Sequence, residues 1–241
     1  MKNVAVVQAR CGSTRMPNKV MAKLAGREVI DWVARSAKSI PGVDQVIIAT
    51  STNPKDDKIE VWCSTNNTEC FRGSEKNVLS RVFEAGQLHN ATNLVRGTAD
   101  CPSIDPYICG EVLAMFLEGG VDYVSNCNPI TWPDGLDCEV VSMDVLSKIN
   151  SRSLSAFDRE HVTSFITSNQ HLFKVKNFSS SIPNISKHRW TLDNENDLQF
   201  LSQITELIPD RPPAYTEVLN ILRKHEDTVN PNFNVRTKID T

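Results

Sequence analysis

The sequence predicts an α/β fold, a mostly parallel central sheet flanked by helices. Three observations lead there. Short apolar runs at residues 4–7, 46–49 and 93–96 have the length of buried strands. Stretches between them carry apolar side chains at helical spacing. Strand and helix then alternate along the chain, and such alternation builds parallel sheets with helices on both faces. In sheets of this kind ligands bind where the carboxyl ends of strands meet the loops that follow.

The elements follow in order. After the strand at 4–7, Val29, Ile30, Val33, Ala34 and Ala37 fall on one helical face. The strand at 46–49 comes next, and Val78, Leu79, Val82, Phe83 and Ala85 repeat the helical pattern beyond the turn at Gly73-Ser74. A helix over 107–117 follows the strand at 93–96 and ends at Gly119-Gly120, where the glycines cannot sustain it. Strands are expected at 122–125 and 138–141, and helices at 157–166 and 195–207. A Pro-rich corner at 209–213 precedes a last helix at 216–225, and the polar tail 230–241 is expected to be loose. Trp32 and Trp62 sit in helical stretches and are expected in the core or in a subunit contact, not as base-stacking groups. There is no internal repeat, no low-complexity tract and no linker, so residues 1–241 read as a single domain.

Composition excludes several classes. With 241 residues, 40% hydrophobic and 23% charged, the chain can bury a core and is not a disordered tail. A net charge of −3 does not suit a surface built to hold nucleic acid. No stretch approaches the ~18–20 apolar residues of a membrane span, and the first residues lack the pattern of a signal peptide. Seven cysteines, odd in number and without a CxxC pair, suggest reduced thiols and a cytoplasmic protein. The balance of charge is uneven, however. Residues 1–38 carry eight basic side chains (Lys2, Arg10, Arg15, Lys19, Lys23, Arg27, Arg35, Lys38) against Glu28 and Asp31, which is +6 there and −9 in the remainder.

Part of that excess lies in one loop. Directly after the first strand comes Gln8-Ala9-Arg10-Cys11-Gly12-Ser13-Thr14-Arg15-Met16-Pro17-Asn18-Lys19. It is neither a Walker loop nor a dinucleotide fingerprint. Gly12 lets a ligand approach the backbone, Ser13 and Thr14 add hydroxyl donors, and Arg10, Arg15 and Lys19 supply three cations suited to phosphate oxygens. A solvated basic turn would look similar. Two aspartates stand far apart in sequence: Asp100 at the end of a strand, in Thr98-Ala99-Asp100-Cys101-Pro102, and Asp193 just ahead of a helix. Each suits an ordinary role, Asp100 as turn former and Asp193 as helix cap. Brought together, they would make a hard oxygen site for Mg²⁺.

The combination is more specific than its parts. A strand followed by Gln-Ala-Arg-x-Gly-Ser-Thr-Arg-x-Pro-x-Lys resembles the opening motif of the CMP-sugar synthetases, the acylneuraminate and KDO cytidylyltransferases, and most of all their SpsF-like branch. The similarity continues through Phe71-Arg72-Gly73-Ser74-Glu75, Thr98 to Asp105, Tyr123-Val124-Ser125-Asn126, Pro133 to Glu139, Arg159-Glu160-His161-Val162-Thr163 and Arg189-Trp190-Thr191-Leu192-Asp193. It thus runs in order from residue 1 to about 200. One departure is the pair Lys76-Asn77, where SpsF-like chains often have two acidic residues.

The resemblance implies a GT-A-like (Rossmann-like) nucleotidyltransferase that uses CTP and Mg²⁺. It implies a nucleotide site made of Gln8, Ala9, Arg10, Gly12, Ser13, Arg15 and Lys19, with Arg72, Gly73 and Ser74 against cytosine or ribose. Asp100 and Asp193 would hold the metal, and Arg15, Lys19 and Asp100 would carry catalysis. Asp134, Glu139, Arg159, His161 and Arg189 fall where such enzymes receive their second substrate, an ulosonic or nonulosonic acid. A homodimer is implied as well. Three other readings stay open at this stage: an alditol phosphate or phosphonate as acceptor, or another nucleotide; a glycosyltransferase, for which the Asp-x-Asp motif is missing; and a non-catalytic sugar-nucleotide-binding subunit.

Overall fold

In the computed structural model, which describes residues 1–209 and 211–225, the first apolar run becomes β1 (Asn3–Gln8). Its side chains alternate between two cores, Ala5 and Val7 facing one and Val4 and Val6 the other. A small ribbon follows, β2 (Lys23–Leu24) and β3 (Arg27–Glu28), then α1 (Val29–Lys38), β4 (Gln45–Ser51), α2 (Asp57–Thr65), β5 (Glu69–Gly73), α3 (Val78–Leu88), β6 (Asn93–Thr98) and α4 (Pro106–Leu117). The second half holds β7 (Tyr123–Ser125), β8 (Glu139–Ser142), α5 (Met143–Asn150), α6 (Ala156–His161), α7 (Ser164–Ser168), β9 (Val175–Asn177), α8 (Glu195–Glu206) and α9 (Tyr215–Lys224). The tail expected at 230–241 lies outside the described residues.

Seven strands form one sheet in the order β5-β4-β1-β6-β8-β7-β9. The four on the N-terminal side are parallel, as is β7 to β9, while β8 runs antiparallel to both of its neighbours. The expected mostly parallel sheet is therefore present, with one reversed strand. Helices α1, α2 and α4 cover one face through Ile30, Val33, Ile59, Trp62 and Leu113. Helices α3 and α5 cover the other through Leu79, Val82, Val145 and Leu146. In the stretch 138–178, Cys138, Val140, Val141, Leu146, Ile149, Val162 and Ile166 are buried in this chain's own core, whereas Phe157 and Leu172 are exposed. All seven cysteines are free.

Where the elements differ from expectation, local chemistry explains it. The helix expected at 157–166 is two short helices, because the chain turns at Val162 with φ 56°. That turn buries Val162 and also aims the hydroxyl of Thr163 inward, where it donates to Glu139 at 2.5 Å. A regular helix would place these two neighbours on different sides. Strand β5 (Glu-Cys-Phe-Arg-Gly) escapes the apolar pattern because it is an edge strand with no fully buried residue. Asn77, one of the departures from the family motif, caps α3 by accepting from the Ser80 amide at 3.1 Å.

A third apolar cluster matters most for position. Trp132, Leu136, Trp190 and Leu192 pack with Phe200 and Leu201 of α8 and Val218 of α9. They fasten the extended segment at 189–193 beside the sheet, where Trp190 N donates to the Asp134 carbonyl at 2.7 Å. Gly135 permits that approach. Its φ is +98°, and a Cβ there would stand 2.7 Å from the Trp190 carbonyl carbon and 2.9 Å from the Thr191 nitrogen. Gly135→Ala is therefore expected to destabilise the protein by about 2 kcal/mol, read as a lower urea midpoint with unchanged slope.

Candidate active site

The carboxyl ends of β1 and β6 are in register, Gln8 beside Thr98, so the loops that follow them share one edge of the sheet. The first loop is closed at its base by Asn18 N donating to the Cys11 carbonyl at 2.9 Å. It is pinned from below by Cys11 N donating to Asp56 at 2.6 Å. Asp56 is itself held by the Ser51 hydroxyl at the end of β4. Asn18 takes φ 63° and starts a single 3-10 turn that carries Lys19 into the protein. These contacts give the basic loop a fixed shape, unlike a solvated turn.

Lys19 is buried, and its ammonium lies 2.6 Å from Asp100 Oδ2 and 2.7 Å from Asp193 Oδ1. The two aspartates, 93 positions apart, thus meet on one nitrogen. A backbone bond holds them there: Leu192 N donates to the Asp100 carbonyl at 2.8 Å. Arg15 adds a third contact, 3.1 Å from Asp193 Oδ2. Burial opposes the Lys19 charge, yet the carboxylates of Asp100 and Asp193 outweigh it and raise its pKa. For Asp193, burial works against ionisation, and Lys19, Arg15 and Arg189 overcome it and hold the carboxyl below its usual range.

Neither ordinary role considered for the aspartates takes up their side chains. The cap of α8 is Asn194, in a capping box with Asp197, which leaves the Asp193 carboxylate to Lys19. Asp100 likewise turns its carboxylate to Lys19. Among the described residues no group of three or more His, Cys, Asp or Glu could hold a metal. The pair fits a hard divalent cation that completes its shell with phosphate and water, since its two oxygens lie within reach of a single cation and both belong to carboxylates.

Around this pair opens a cavity of about 450 Å³. Its walls include Gln8, Ala9, Arg10, Gly12, Ser13, Arg15, Lys19, Asp100 and Asp193, all among the sequence candidates, and His161. Val78 and Arg81 of α3, Thr98 and Glu160 also line it and were not candidates. Arg81 did leave a signal, for it stands three residues from Val78 and four from Ala85, a charge on the buried face of its helix. Arg10 pairs with Glu160 across the opening at 3.3 Å, both half exposed.

Other candidates are spent elsewhere. The guanidinium of Arg72 is bound to the carbonyls of Ser51 and Asn53 and to Asp57 and Glu60, so it fastens β5 to α2 and is not on the cavity wall. Gly73 and Ser74 lie behind Arg81, whose Nη1 donates to the Ser74 carbonyl at 2.7 Å. Glu139, expected on the second-substrate side, is buried and engaged by Arg96, Tyr123 and Thr163; burial disfavours its charge, but Arg96 together with the hydrogen bonds of Thr163 and Tyr123 outweighs it and lowers its pKa. Arg159 is turned away, donating to Asn150 and to the Arg152 carbonyl. Arg189 is buried among Asp134, Asp193 and Asp197, so it positions Asp193 and does not present a free fork to an acceptor. Asp134 meets Arg189 at 3.5 Å and stands behind the wall. Burial, then Asp56, pushes the Cys11 thiol up to about 11, which suits a bystander and not a nucleophile.

Comparison with known proteins bears on this geometry. A family model described as cytidylyltransferase matches residues 4–227. The chain belongs to the cytidylyltransferase family. The spore coat polysaccharide biosynthesis protein SpsF of Bacillus subtilis is 29% identical over 229 residues, 92% of this chain and 94% of that protein. The 3-deoxy-manno-octulosonate cytidylyltransferase of Maricaulis maris is 33% identical over 117 residues, 46% of this chain and 43% of its own. A solved cytidylyltransferase from Leptospira borgpetersenii superposes with a TM-score of 0.90 at 26% identity, covering 99% of this chain and 98% of that one. The resemblance and the nucleotidyltransferase fold are thereby established, and with them an enzyme of the nucleotidyl-transferring class. No helix among the described residues is long and apolar enough to cross a membrane.

The shared ammonium has a pH signature. The depressed Asp193 carboxyl contributes stability above its ordinary value of 3.8, which is lost as pH falls through the depressed one. The raised Lys19 contributes below its ordinary 10.5, and that is lost only as pH rises past the raised value. Lys19→Met is expected to cost about 3 kcal/mol near neutrality. The penalty should shrink on acidification below 3.8, measured by urea unfolding across pH.

Proposed function

We propose that this cytidylyltransferase moves CMP from CTP to a hydroxyl of an acidic sugar of the ulosonic or nonulosonic type, for surface polysaccharide or glycan synthesis. The observation that carries the reading is the Lys19 ammonium held between Asp100 and Asp193 inside a cavity rimmed by Arg10 and Arg15. An acid pair beside clustered cations suits a nucleoside triphosphate that arrives with a divalent ion. The names of two relatives, an octulosonate cytidylyltransferase and a polysaccharide biosynthesis protein, support the acceptor class.

The chemistry asks for positioning and charge balance. The acceptor hydroxyl oxygen attacks the α-phosphorus in line, a P–O ester bond forms, the bond to the bridging oxygen breaks, pyrophosphate leaves with the electron pair, and the hydroxyl proton passes to water. Arg15 and Lys19 would balance the charge that grows on that leaving group. Gly12 and Ser13 would present the loop to the phosphates, and Ala9 the floor to the nucleoside. Asp100 and Asp193 would hold Mg²⁺, which when bound supplies neutralisation of the phosphate charge. Of the second-substrate candidates His161 lines the cavity, with its ring 4.2 Å from that of Phe157.

The test is pyrophosphate release with each of the four nucleoside triphosphates against a panel of ulosonic acids, alditol phosphates and phosphonates. Turnover with CTP and an ulosonic acid is expected, and turnover confined to an alditol phosphate, a phosphonate or another nucleotide overturns the assignment. Asp100→Asn should lower the rate about a thousandfold, roughly 4 kcal/mol of transition-state stabilisation. A near-unchanged rate would remove Asp100 from the chemistry.

A further inference from the structure

Arg81 is the one strongly buried cation of the cavity wall that no part of the site explains. It is 2% exposed and lies on α3 among Val78, Leu79 and Val82. No carboxylate among the described residues is paired with it, and its Nε is buried without any partner. Its one side-chain hydrogen bond among the described residues is from Nη1 to the Ser74 carbonyl at 2.7 Å. Burial pulls its pKa down to about 10, against the favourable fields of Asp56 and Glu75 and with the repulsion of Arg10. A buried charge with one neutral bond is costly, and natural proteins pair such groups. Arg96 of β6, partly buried, has Glu139. Arg81 instead lines the cavity.

We propose that Arg81 reads the nucleobase, donating its guanidinium fork to the two adjacent acceptors of cytosine, N3 and O2. This rests on the cytidylyl reading of the site and deepens it. The shape of the group and of the wall suits the base better than the phosphates. Nη1 is already held by the Ser74 carbonyl on the α3 side, and Nε, still without a partner, belongs to the same planar fork. The cavity wall also includes Val78, one turn before Arg81 on α3, and Ala9, small apolar surfaces suited to a flat ring, with Gln8 and Thr98 at the strand ends. The fork is preorganised. A Cβ on Gly73 would stand 2.9 Å from Phe71 and 3.0 Å from the Arg81 stem, so only glycine lets the strand end pack this closely against the side chain, while Ser74 anchors one nitrogen. Uracil carries N–H where cytosine has the N3 acceptor, and two donors would then oppose each other.

The experiment is calorimetric titration of CTP, UTP and inorganic triphosphate, each with Mg²⁺, into the wild type, Arg81→Lys and Arg81→Met. The wild type should prefer CTP over UTP. Both variants should lose roughly ten- to a hundredfold in CTP affinity, with triphosphate binding unchanged, so that the CTP:UTP ratio collapses. Arg81→Met should melt at or above the wild-type temperature, because it removes an unpaired buried charge. Should that variant fail to fold, Arg81→Lys carries the test, since an ammonium keeps the charge and loses the fork. A wild type that prefers CTP alongside folded variants that keep the ratio overturns this inference alone. Equal loss for CTP, UTP and inorganic triphosphate would assign Arg81 to phosphate and overturn it too. A wild type that holds UTP as tightly as CTP overturns the cytidylyl reading, and the inference falls with it.

Discussion

One ammonium joins two halves of this protein. Lys19 comes from the loop after the first strand, Asp100 from the loop after β6, and Asp193 from the segment just before α8. None of the three could be left buried alone, since an uncompensated charge in a partly dry pocket costs several kcal/mol. Together they define where three remote stretches of chain must meet. The backbone agrees, for Leu192 bonds to the carbonyl of Asp100 itself, and Trp190 to that of Asp134. Trp190 and Leu192 lock into the third apolar cluster, so hydrophobic packing and charge point to the same register.

Around that centre lies a second layer whose members never reach the cavity. Arg189 draws Asp134, Asp193 and Asp197 toward itself, and Asp197 in turn accepts from the amides of Asp193 and Asn194. The result is a short, rigid approach to α8 that fixes one carboxylate of the pair. Arg72 does comparable work on the other side, tying β5 to the start of α2. Arg96 and Glu139 neutralise each other beneath the sheet edge. In each case a buried or half-buried arginine has found at least one acid of its own chain. Arg81 has only the Ser74 carbonyl, with Nε left without a partner, and that contrast separates the arginines that build the site from the one left to meet a ligand.

The central sheet was legible because β1, β4 and β6 are buried on both sides, and such strands write themselves as apolar runs. The reversed direction of β8 was not, since four residues of strand carry no mark of polarity, and the three-residue β9 leaves even less. The loop motif picked out four residues of the cavity wall because Arg10, Ser13, Arg15 and Lys19 sit in a single loop, close in sequence and so close in space. The pairing of Asp100 with Asp193 has no such local signature, as nothing near either residue encodes the other. Arg159 and Arg189 show the opposite failure. Both lie in matching motifs, yet nearby carbonyls and acids outcompete the cavity for their guanidinium groups. A motif locates a residue; its neighbours decide where the side chain points.

The +6 of the first 38 residues acquires a different meaning in the folded chain. Each of the three loop cations is already answered by an acid from far away: Arg10 by Glu160, Arg15 by Asp193, Lys19 by Asp100 and Asp193. A polyanion entering this loop therefore does not fall onto bare positive charge. It must exchange with resident carboxylates. The exposed Arg10–Glu160 pair gives way at little cost, because such pairs are worth about 1 kcal/mol or less. The buried trio does not, because drawing Lys19 toward phosphate would strand two carboxylates on one another. An anion that brought its own divalent cation would avoid that penalty, because Asp100 and Asp193 would then hold the cation and Lys19 would be left to balance phosphate charge. On that account the three residues that hold the loop in shape would favour a polyphosphate accompanied by a metal over one that comes alone.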